Sequence, residues 1–438
     1  MPTPGSFSTA LPCVCAALLL GAALARAQPP AANLTLAQAL AAALRDNPTL
    51  AAGAAAVRAR EGDAQQAGAL PNPELKLELE NFAGSGALRN AESAETTLRL
   101  SQVIELGGKR TRRLALAGLE RDAAQWDVEV RRADVAADTA RAFVAVVALQ
   151  ERVALAADGI ALAARSADVV GAQVRAGGTA PVEAARARLA VQQAELEHAE
   201  RGRELAAARL ALAAQWGAAS ADFGRARGHL AALAPPPPLE PLLAAVARNP
   251  DLARWATELA AREAAIALQR ARAVPDVALG AGPRYFSDTD DVGLVVELWV
   301  PLPLFDRNAG AIAAAEAELA RADATRRASD VGQRAALART HAALAAAYER
   351  AATLRDDLLP TAESVRAAVE AAHRQGALPS LDVLTAQQTQ FALRDQYLVA
   401  LAAYHQALAD LERLAGGAVD GLAIAVEPPP ARSVEETR

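Results

Sequence analysis

The chain has 438 residues, 53% of them apolar but only 3% aromatic, with a formal net charge of -6. That length can hold two or three ordinary domains, and so mild an acidity does not suggest a nucleic-acid partner. Alanine dominates the apolar fraction, and with Leu, Arg, Gln and Glu it makes helix the expectation for most of the chain.

Leu11 to Leu24 is an apolar run that ends at Ala25-Arg26-Ala27, a small-x-small cleavage pattern. It is too short to span a bilayer and reads as a secretory h-region, although Met1–Ala10 carries no Lys or Arg. Residues 1–27 are therefore expected to be a signal peptide. Cys13 and Cys15 both fall inside it, and neither stands where a lipid-attachment cysteine belongs. A mature chain beginning near Gln28 would hold no cysteine, hence no disulfide or thiol chemistry. Beyond Ala27 no uncharged apolar stretch reaches about 18 residues, so no helical membrane span is expected.

The chain then repeats itself. Arg45-Asp46-Asn47-Pro48 returns as Arg248-Asn249-Pro250, and Leu70-Pro71-Asn72-Pro73 is echoed by Val274-Pro275-Asp276. Val174-Arg175-Ala176-Gly177 matches His373-Arg374-Gln375-Gly376, and Gln215-Trp216-Gly217 matches Leu414-Ala415-Gly416. A small offset between the anchors belongs in a turn, Asn81–Ala94 in one copy and Pro283–Asp291 in the other, because loops absorb deletions. The division predicted is a first repeat over 28–234, a proline linker over 235–239, a second repeat over 240–417 and a flexible tail over 418–438. Pro235–Pro238 reads as a stiff spacer.

Each copy reads helix, strand, turn, strand, long helix, tight turn, helix. The first copy is capped at Thr35 and predicted helical to Gly68, where Pro71 and Pro73 stop it. Leu75, Leu77 and Leu79 alternate with Lys76, Glu78 and Glu80, and Thr96 to Val103 is a second, less regular strand. In the second copy Val277, Leu279 and Ala281 alternate, as do Val292, Leu294, Val296, Leu298 and Val300. Residues 109–176 and 308–374 lack breakers apart from Pro360 and a few glycines, so each predicts a helix on the order of 100 Å long. Pro360 should bend the second or lend it compliance. The two shorter helices of each copy together match the long one, which makes a strut of even length. A coiled-coil rod would instead show a sustained leucine heptad with charged flanks, and no such stripe dominates here.

Four short strands cannot close a barrel alone, and open edges are not tolerated in a bilayer. Outer-membrane barrels begin at about eight strands, which fill themselves with side chains; twelve leave a lumen. A conduit therefore favours a homotrimer with C3 symmetry.

Gln102-Val103-Ile104-Glu105-Leu106-Gly107-Gly108-Lys109-Arg110 resembles the segment after the first hairpin in TolC-like outer membrane factors of the cation-efflux, CzcC-like branch. Leu70-Pro71-Asn72-Pro73, Val300-Pro301-Leu302-Pro303-Leu304-Phe305-Asp306-Arg307-Asn308 and Leu381-Asp382-Val383-Leu384-Thr385-Ala386-Gln387 are also similar to family segments. The resemblance implies a mainly α fold with a small β part: a long α-helical barrel in the periplasm under a twelve-stranded transmembrane β-barrel in the outer membrane of a Gram-negative bacterium. It implies an outer membrane channel of a tripartite efflux system, a passive duct for heavy-metal cations of the cobalt, zinc and cadmium kind. The partners implied are outer membrane lipid, a periplasmic adaptor (membrane fusion protein) and an inner-membrane RND-type pump. The adaptor would meet the helix-turn-helix tips, here Gly177, Gly178, Thr179 and Pro181, with Gly376, Leu378, Pro379 and Ser380. Gly reverses a chain at a helix end and Pro begins the next helix, so a plain turn accounts for these residues equally well.

The family narrows its entrance with acids just after the second tip. Asp382 matches the first such position; the second is Thr385 here, and Glu183 is the counterpart of Asp382 in the first copy. A ring of Asp382 and Glu183 would favour cations, while the alternative is that both acids merely suit the first turn of a helix.

No catalytic set, cofactor motif or metal-ligand cluster appears. His198, His229, His341, His373 and His405 are dispersed and are expected on helix surfaces, and Asp288, Asp290 and Asp291 lack calcium-loop spacing. The chain is therefore not read as an enzyme. Two other readings stay open: a duct for drugs or other small molecules, and a periplasmic adaptor-like coiled coil with no pore.

Overall fold

The computed structural model describes residues 33–417 apart from Asn90, so the expected signal peptide and the 418–438 tail lie outside the described residues. Strand β1 (Asn33–Thr35) leads into helix α1 (Leu36–Asp46) through a full capping box. The Gln38 N–H donates to the Thr35 hydroxyl at 3.3 Å and the Thr35 N–H to the Gln38 side chain at 3.0 Å. The single helix predicted from Thr35 to Gly68 is in fact two. Asn47 is extended (ψ 123°), and Pro48 starts α2 (Pro48–Ala67) as its first residue. A proline has no N–H to carry a helix through, while Asn47 caps the new one by accepting from the Thr49 N–H at 2.8 Å.

Strands β2 (Glu74–Glu80) and β3 (Glu95–Ile104) follow, then α3 (Lys109–Arg175), a tight turn and α4 (Pro181–Ala214). The 67 residues of α3 span on the order of 100 Å. A fourth strand, the short β4 (Arg225–Arg227), runs parallel to β1. Sequence periodicity missed this pair, because three residues are too few to show alternation. The Gln150 amide completes the pair as a surrogate strand: it accepts from the Ala226 N–H at 2.9 Å and donates to the Ala226 carbonyl at 2.8 Å.

The second copy runs α5 (Leu239–Ala245), α6 (Pro250–Arg272), β5 (Val277–Phe286), β6 (Asp291–Trp299) and α7 (Ala309–Thr353), with α8 (Leu359–Arg374) and α9 (Ser380–Ala415) closing it. Between α7 and α8 lies one wide π turn, Leu354–Leu358. Pro360 explains it: with no N–H to offer, it cannot continue the helical ladder, and the turn widens so that Leu359 donates to the Leu354 carbonyl.

The packed core sits at mid-height. Phe143, Val144 and Val147 of α3 meet Leu36 and Ala39 of α1, Leu212 of α4, Ala226 of β4 and Leu401 of α9. A second cluster joins Leu337 and Leu344 of α7 to Tyr404, Leu408 and Leu411 of α9 and Val246. Away from this waist the helices bury little; α2 has no buried residue.

The proline linker is more than a spacer. The Tyr404 hydroxyl donates to the Ala234 carbonyl at 2.8 Å, and ring nitrogens of His405 and His341 lie 2.9 and 2.8 Å from the Leu230 and Pro237 carbonyls. His405 is wholly buried, against the expectation of a surface histidine. Its neighbours on α9 are core residues, and a backbone carbonyl that needs a donor makes a neutral imidazole acceptable there.

Candidate functional site

The four-stranded sheet has the order β2-β3-β5-β6, antiparallel throughout, so the hairpins of the two copies sit side by side. Its register sorts every side chain onto one of two faces. Leu75 opposes Leu100, Leu77 opposes Leu98, Ala281 opposes Val296 and Tyr285 opposes Val292. This face is apolar and yet exposed: Leu75 is 69% and Leu294 76% accessible. The opposite face carries the charges, and there Thr97 is 0% and Arg99 7% accessible. A sheet packed for water would bury the leucines; this one shelters the ions and turns its leucines out. The predicted outward apolar strands are thus present, and both outer strands keep one edge without a partner among the described residues.

On the sheltered face, Arg99 of β3 pairs with Glu78 of β2 at 2.5 Å and with Glu297 of β6. Arg284 of β5 pairs with Glu95 at 2.8 Å and Glu80 at 3.1 Å, and donates to the Thr97 hydroxyl at 2.8 Å. These two arginines tie all four strands together. Sequence reasoning missed them, because each sits alone in a strand with no local motif.

The sheet joins the helices through Gly107-Gly108-Lys109-Arg110. Gly107 and Gly108 take left-handed φ of 69° and 71°, which turn the chain sharply out of β3 into α3. Lys109 is then placed against Asp276, just before β5, at 2.7 Å, and Asp276 also accepts from the Leu106 N–H at 3.0 Å. Arg110 donates to the Gly68 carbonyl at 2.6 Å. Arg113 donates to the Ala67 carbonyl at 3.2 Å and clasps Glu105. The open end of α2 and the entry of the second hairpin are thereby held by one turn of α3.

At the far end are the two tips, built alike. Gly177 (φ 73°) and Gly376 (φ 77°) reverse the chain, while Gly178 donates to the Gln173 carbonyl at 2.9 Å and Ala377 to the Ala372 carbonyl at 3.0 Å. This is the six-to-one closure of a glycine-ended helix. Pro181 is the first residue of α4; Pro379 caps α9 one step earlier, so Ser380 opens that helix. Thr179 and Leu378 are half-buried, while Gly178 and Pro181 are exposed. The His373 ring, 2.8 Å from the Leu378 carbonyl, braces the second tip.

Glu183 lines a groove between α3, α4 and α9 with Leu381 and Leu384, and Asp382 is not among the groove's residues. Glu183 is paired with Arg186 at 2.9 Å, and the Thr385 hydroxyl turns back to the Leu381 carbonyl at 2.9 Å. Among the described residues no cluster of His, Cys, Asp and Glu could hold a metal ion, and no helix is long and apolar enough to cross a membrane.

The family model for outer membrane efflux proteins matches residues 39–218 and again 242–417. The chain is 34% identical over 386 residues to the cobalt-zinc-cadmium resistance protein CzcC of Cupriavidus metallidurans, covering 88% of this chain and 91% of that protein. It is 32% identical over 324 residues to the nickel-cobalt-cadmium resistance protein NccC of Alcaligenes xylosoxydans xylosoxydans, covering 74% and 72%. Among solved structures, a membrane protein from Pseudomonas aeruginosa superposes with a TM-score of 0.75 at 22% identity, covering 90% of this chain and 92% of that one. CusC superposes with a TM-score of 0.73 at 18% identity, covering 87% and 92%. At such identities these two speak for the fold.

Proposed function

This chain belongs to the outer membrane efflux protein family, TolC-like outer membrane channels, and on that footing we propose that it works as a homotrimeric duct for divalent heavy-metal cations. The observation that carries the reading is the open four-stranded sheet with its leucines outward and its ion pairs sheltered. Backbone edges left unpaired in a bilayer would cost several kcal/mol per group, so β2 and β6 need partners. In this antiparallel order, β6 of one copy can meet β2 of the next, and three copies make a twelve-stranded ring with room for a lumen. The concentration of the core at the waist supports the same assembly, since the upper and lower helices bury little until neighbours cover them.

The cargo follows from the relatives, which are named for cobalt, zinc, cadmium and nickel resistance. Metal ions are substrate here and need no resident site. The tips around Gly177 and Gly376 are the surface for a periplasmic adaptor, which in turn engages an inner-membrane RND-type pump. Asp382 and Glu183 of three copies would line the narrow end, with Glu183 partly offset by Arg186 and with no acid at Thr385.

Planar-bilayer conductance, with particle mass measured on the same detergent sample, tests the duct. A conducting trimer is expected; a soluble, non-conducting species would favour the pore-free adaptor reading. Tolerance of zinc, cobalt and cadmium in cells lacking their own outer-membrane component, supplied with this chain and its pump and adaptor, tests the cargo. Restored drug tolerance without metal tolerance would assign it to small molecules instead.

A further inference from the structure

On the sheltered face of the sheet acids outnumber bases: Glu74, Glu78, Glu80, Glu95, Asp291 and Glu297 share it with Lys76, Arg99 and Arg284. Arg99 stands apart among the bases. Its partner Glu297 lies two strands away, on the far side of β5, and the side chain must cross β5 to reach it. What lets it cross is glycine. A Cβ at Gly280 would come within 3.0 Å of the Arg99 Cδ, and one at Gly282 within 2.8 Å of the Arg99 Cα and 1.8 Å of the Leu98 carbonyl oxygen. Gly282 thus admits the β3 backbone, and Gly280 leaves a shallow trough across β5 in which the arginine lies flat, its side chain 9% exposed. By contrast the Lys76 side chain stands 60% exposed and reaches only its own strand, pairing with Glu78 at 3.2 Å.

We propose that Arg99 is a specificity-determining residue of the barrel wall: laid in the trough over Gly280, it neutralises Glu78 and Glu297 and so limits the cation preference of the lumen. The inference rests on the trimeric-duct reading, in which this face lines water. A wall with an acidic excess attracts cations, and three copies of one arginine moderate that field at a fixed height. The trough matters because a guanidinium standing out from the wall would both narrow the bore and present its charge to the cargo. Held flat, it removes charge without obstructing passage. It also stitches β2, β3 and β6, which is a structural role, so the test has to separate charge from stitching.

Val295 is half-exposed and lies on the same face two residues from Glu297, opposite Gly282 in the ladder, so it reports on the field beside Arg99. The experiment places Val295→Cys in the full-length protein, reconstituted in vesicles. The rates of labelling by a cationic and an anionic thiol reagent of equal size are then measured in three backgrounds: wild type, Arg99→Gln and Arg99→Lys. The cation-to-anion rate ratio is expected to rise roughly two- to fivefold in Arg99→Gln at low salt, and to collapse towards the wild-type ratio at high salt. Arg99→Lys keeps the charge and is expected to keep the wild-type ratio, although it cannot span to both carboxylates. If Gln and Lys change the ratio alike, Arg99 is only a stitch and the proposal fails. An unchanged ratio in Arg99→Gln, with brisk labelling by both reagents, overturns it as well and leaves the duct standing. No labelling at all in the wild-type background would take Val295 out of an aqueous lumen, and both readings would fall together. Should Arg99→Gln not assemble, Glu297→Gln supplies the opposite arm: it is expected to lower the ratio, and an unchanged ratio there counts against the proposal.

Discussion

Asn47 and Asn249 occupy equivalent places in the two copies and make the same two connections. Each caps the helix that follows it, accepting from Thr49 at 2.8 Å and from Asp251 at 2.9 Å. Each also closes the end of its own repeat: Asn47 donates to the Gln215 carbonyl at 2.7 Å, and Asn249 to those of Arg413 and Leu414, both at 2.9 Å. The neighbouring glycines are matched too. Gly217 and Gly416 have φ of 75° and 82°, and a Cβ there would press on Pro48 at 3.0 Å or on the Asn249 backbone at 3.1 Å. The first and last helices of each copy are thus clipped together at the waist.

Replacing either asparagine with alanine removes a cap and orphans carbonyl oxygens at a helix end. Each change is expected to cost about 1–3 kcal/mol, with Asn249→Ala the larger because Asn249 is wholly buried. Denaturant midpoints of the detergent-solubilised protein measure this; equal, negligible shifts would contradict the clip.

The exposed leucine face of the sheet should be intolerant of charge. Leu294→Arg is expected to cost about 2–4 kcal/mol if it faces hydrocarbon, while Val295→Arg, its neighbour on the opposite face, should cost far less. The folded fraction after insertion into vesicles reads the difference. Equal tolerance at the two positions would deny that the sheet meets lipid.

His405 gives the waist a pH dependence. Burial pushes its imidazole below the ordinary value of 6.5, partly offset by its bond to the Leu230 carbonyl. Its other ring nitrogen is buried with no partner among the described residues, so a second proton has nowhere to donate. Folding therefore holds this histidine neutral while the unfolded chain takes up a proton. Stability is full above about pH 6.5 and is lost as pH falls through that value toward the depressed folded pKa. His405→Asn should flatten the dependence of thermal midpoint on pH between 7.5 and 5. A wild-type curve already flat over that range would show that the site does not couple to folding.

Lys109 and Asp276 link the two copies where the sheet meets the helices. Lys109→Met strands a half-buried carboxylate and is expected to cost about 1–3 kcal/mol; adding Asp276→Ala should recover part of the loss. A double-mutant cycle in denaturant reports the coupling, and strictly additive losses would show that the contact contributes no coupling of its own.

Much of the fold was legible along the chain. Alternation in Leu75–Leu79 and Val292–Leu298 marks strands because side chains in a strand take opposite faces, and the breaker-free run from Lys109 to Arg175 marks one long helix. Glycine at Gly177 and Gly376 marks the tips because the left-handed turn there excludes side chains without penalty only for glycine. What was not legible was short or non-local. The helix break at Asn47 hid inside a motif already used as a repeat marker, and the β1–β4 pair is three residues long. The burial of His405 depends on the Leu230 carbonyl, 175 positions away in the chain.

Local periodicity, turn chemistry and internal repetition thus settled the order of the longer elements, the duplication and the outward apolar strands, all of which are properties of neighbouring residues. Tertiary structure alone decided which elements meet: that β3 pairs with β5 and joins the two copies into one sheet, and that Arg99 crosses a glycine trough to Glu297. The reason is physical. A contact between distant segments depends on register and crossing geometry, and a single charged side chain carries no mark along the sequence of the partner it will find across a sheet.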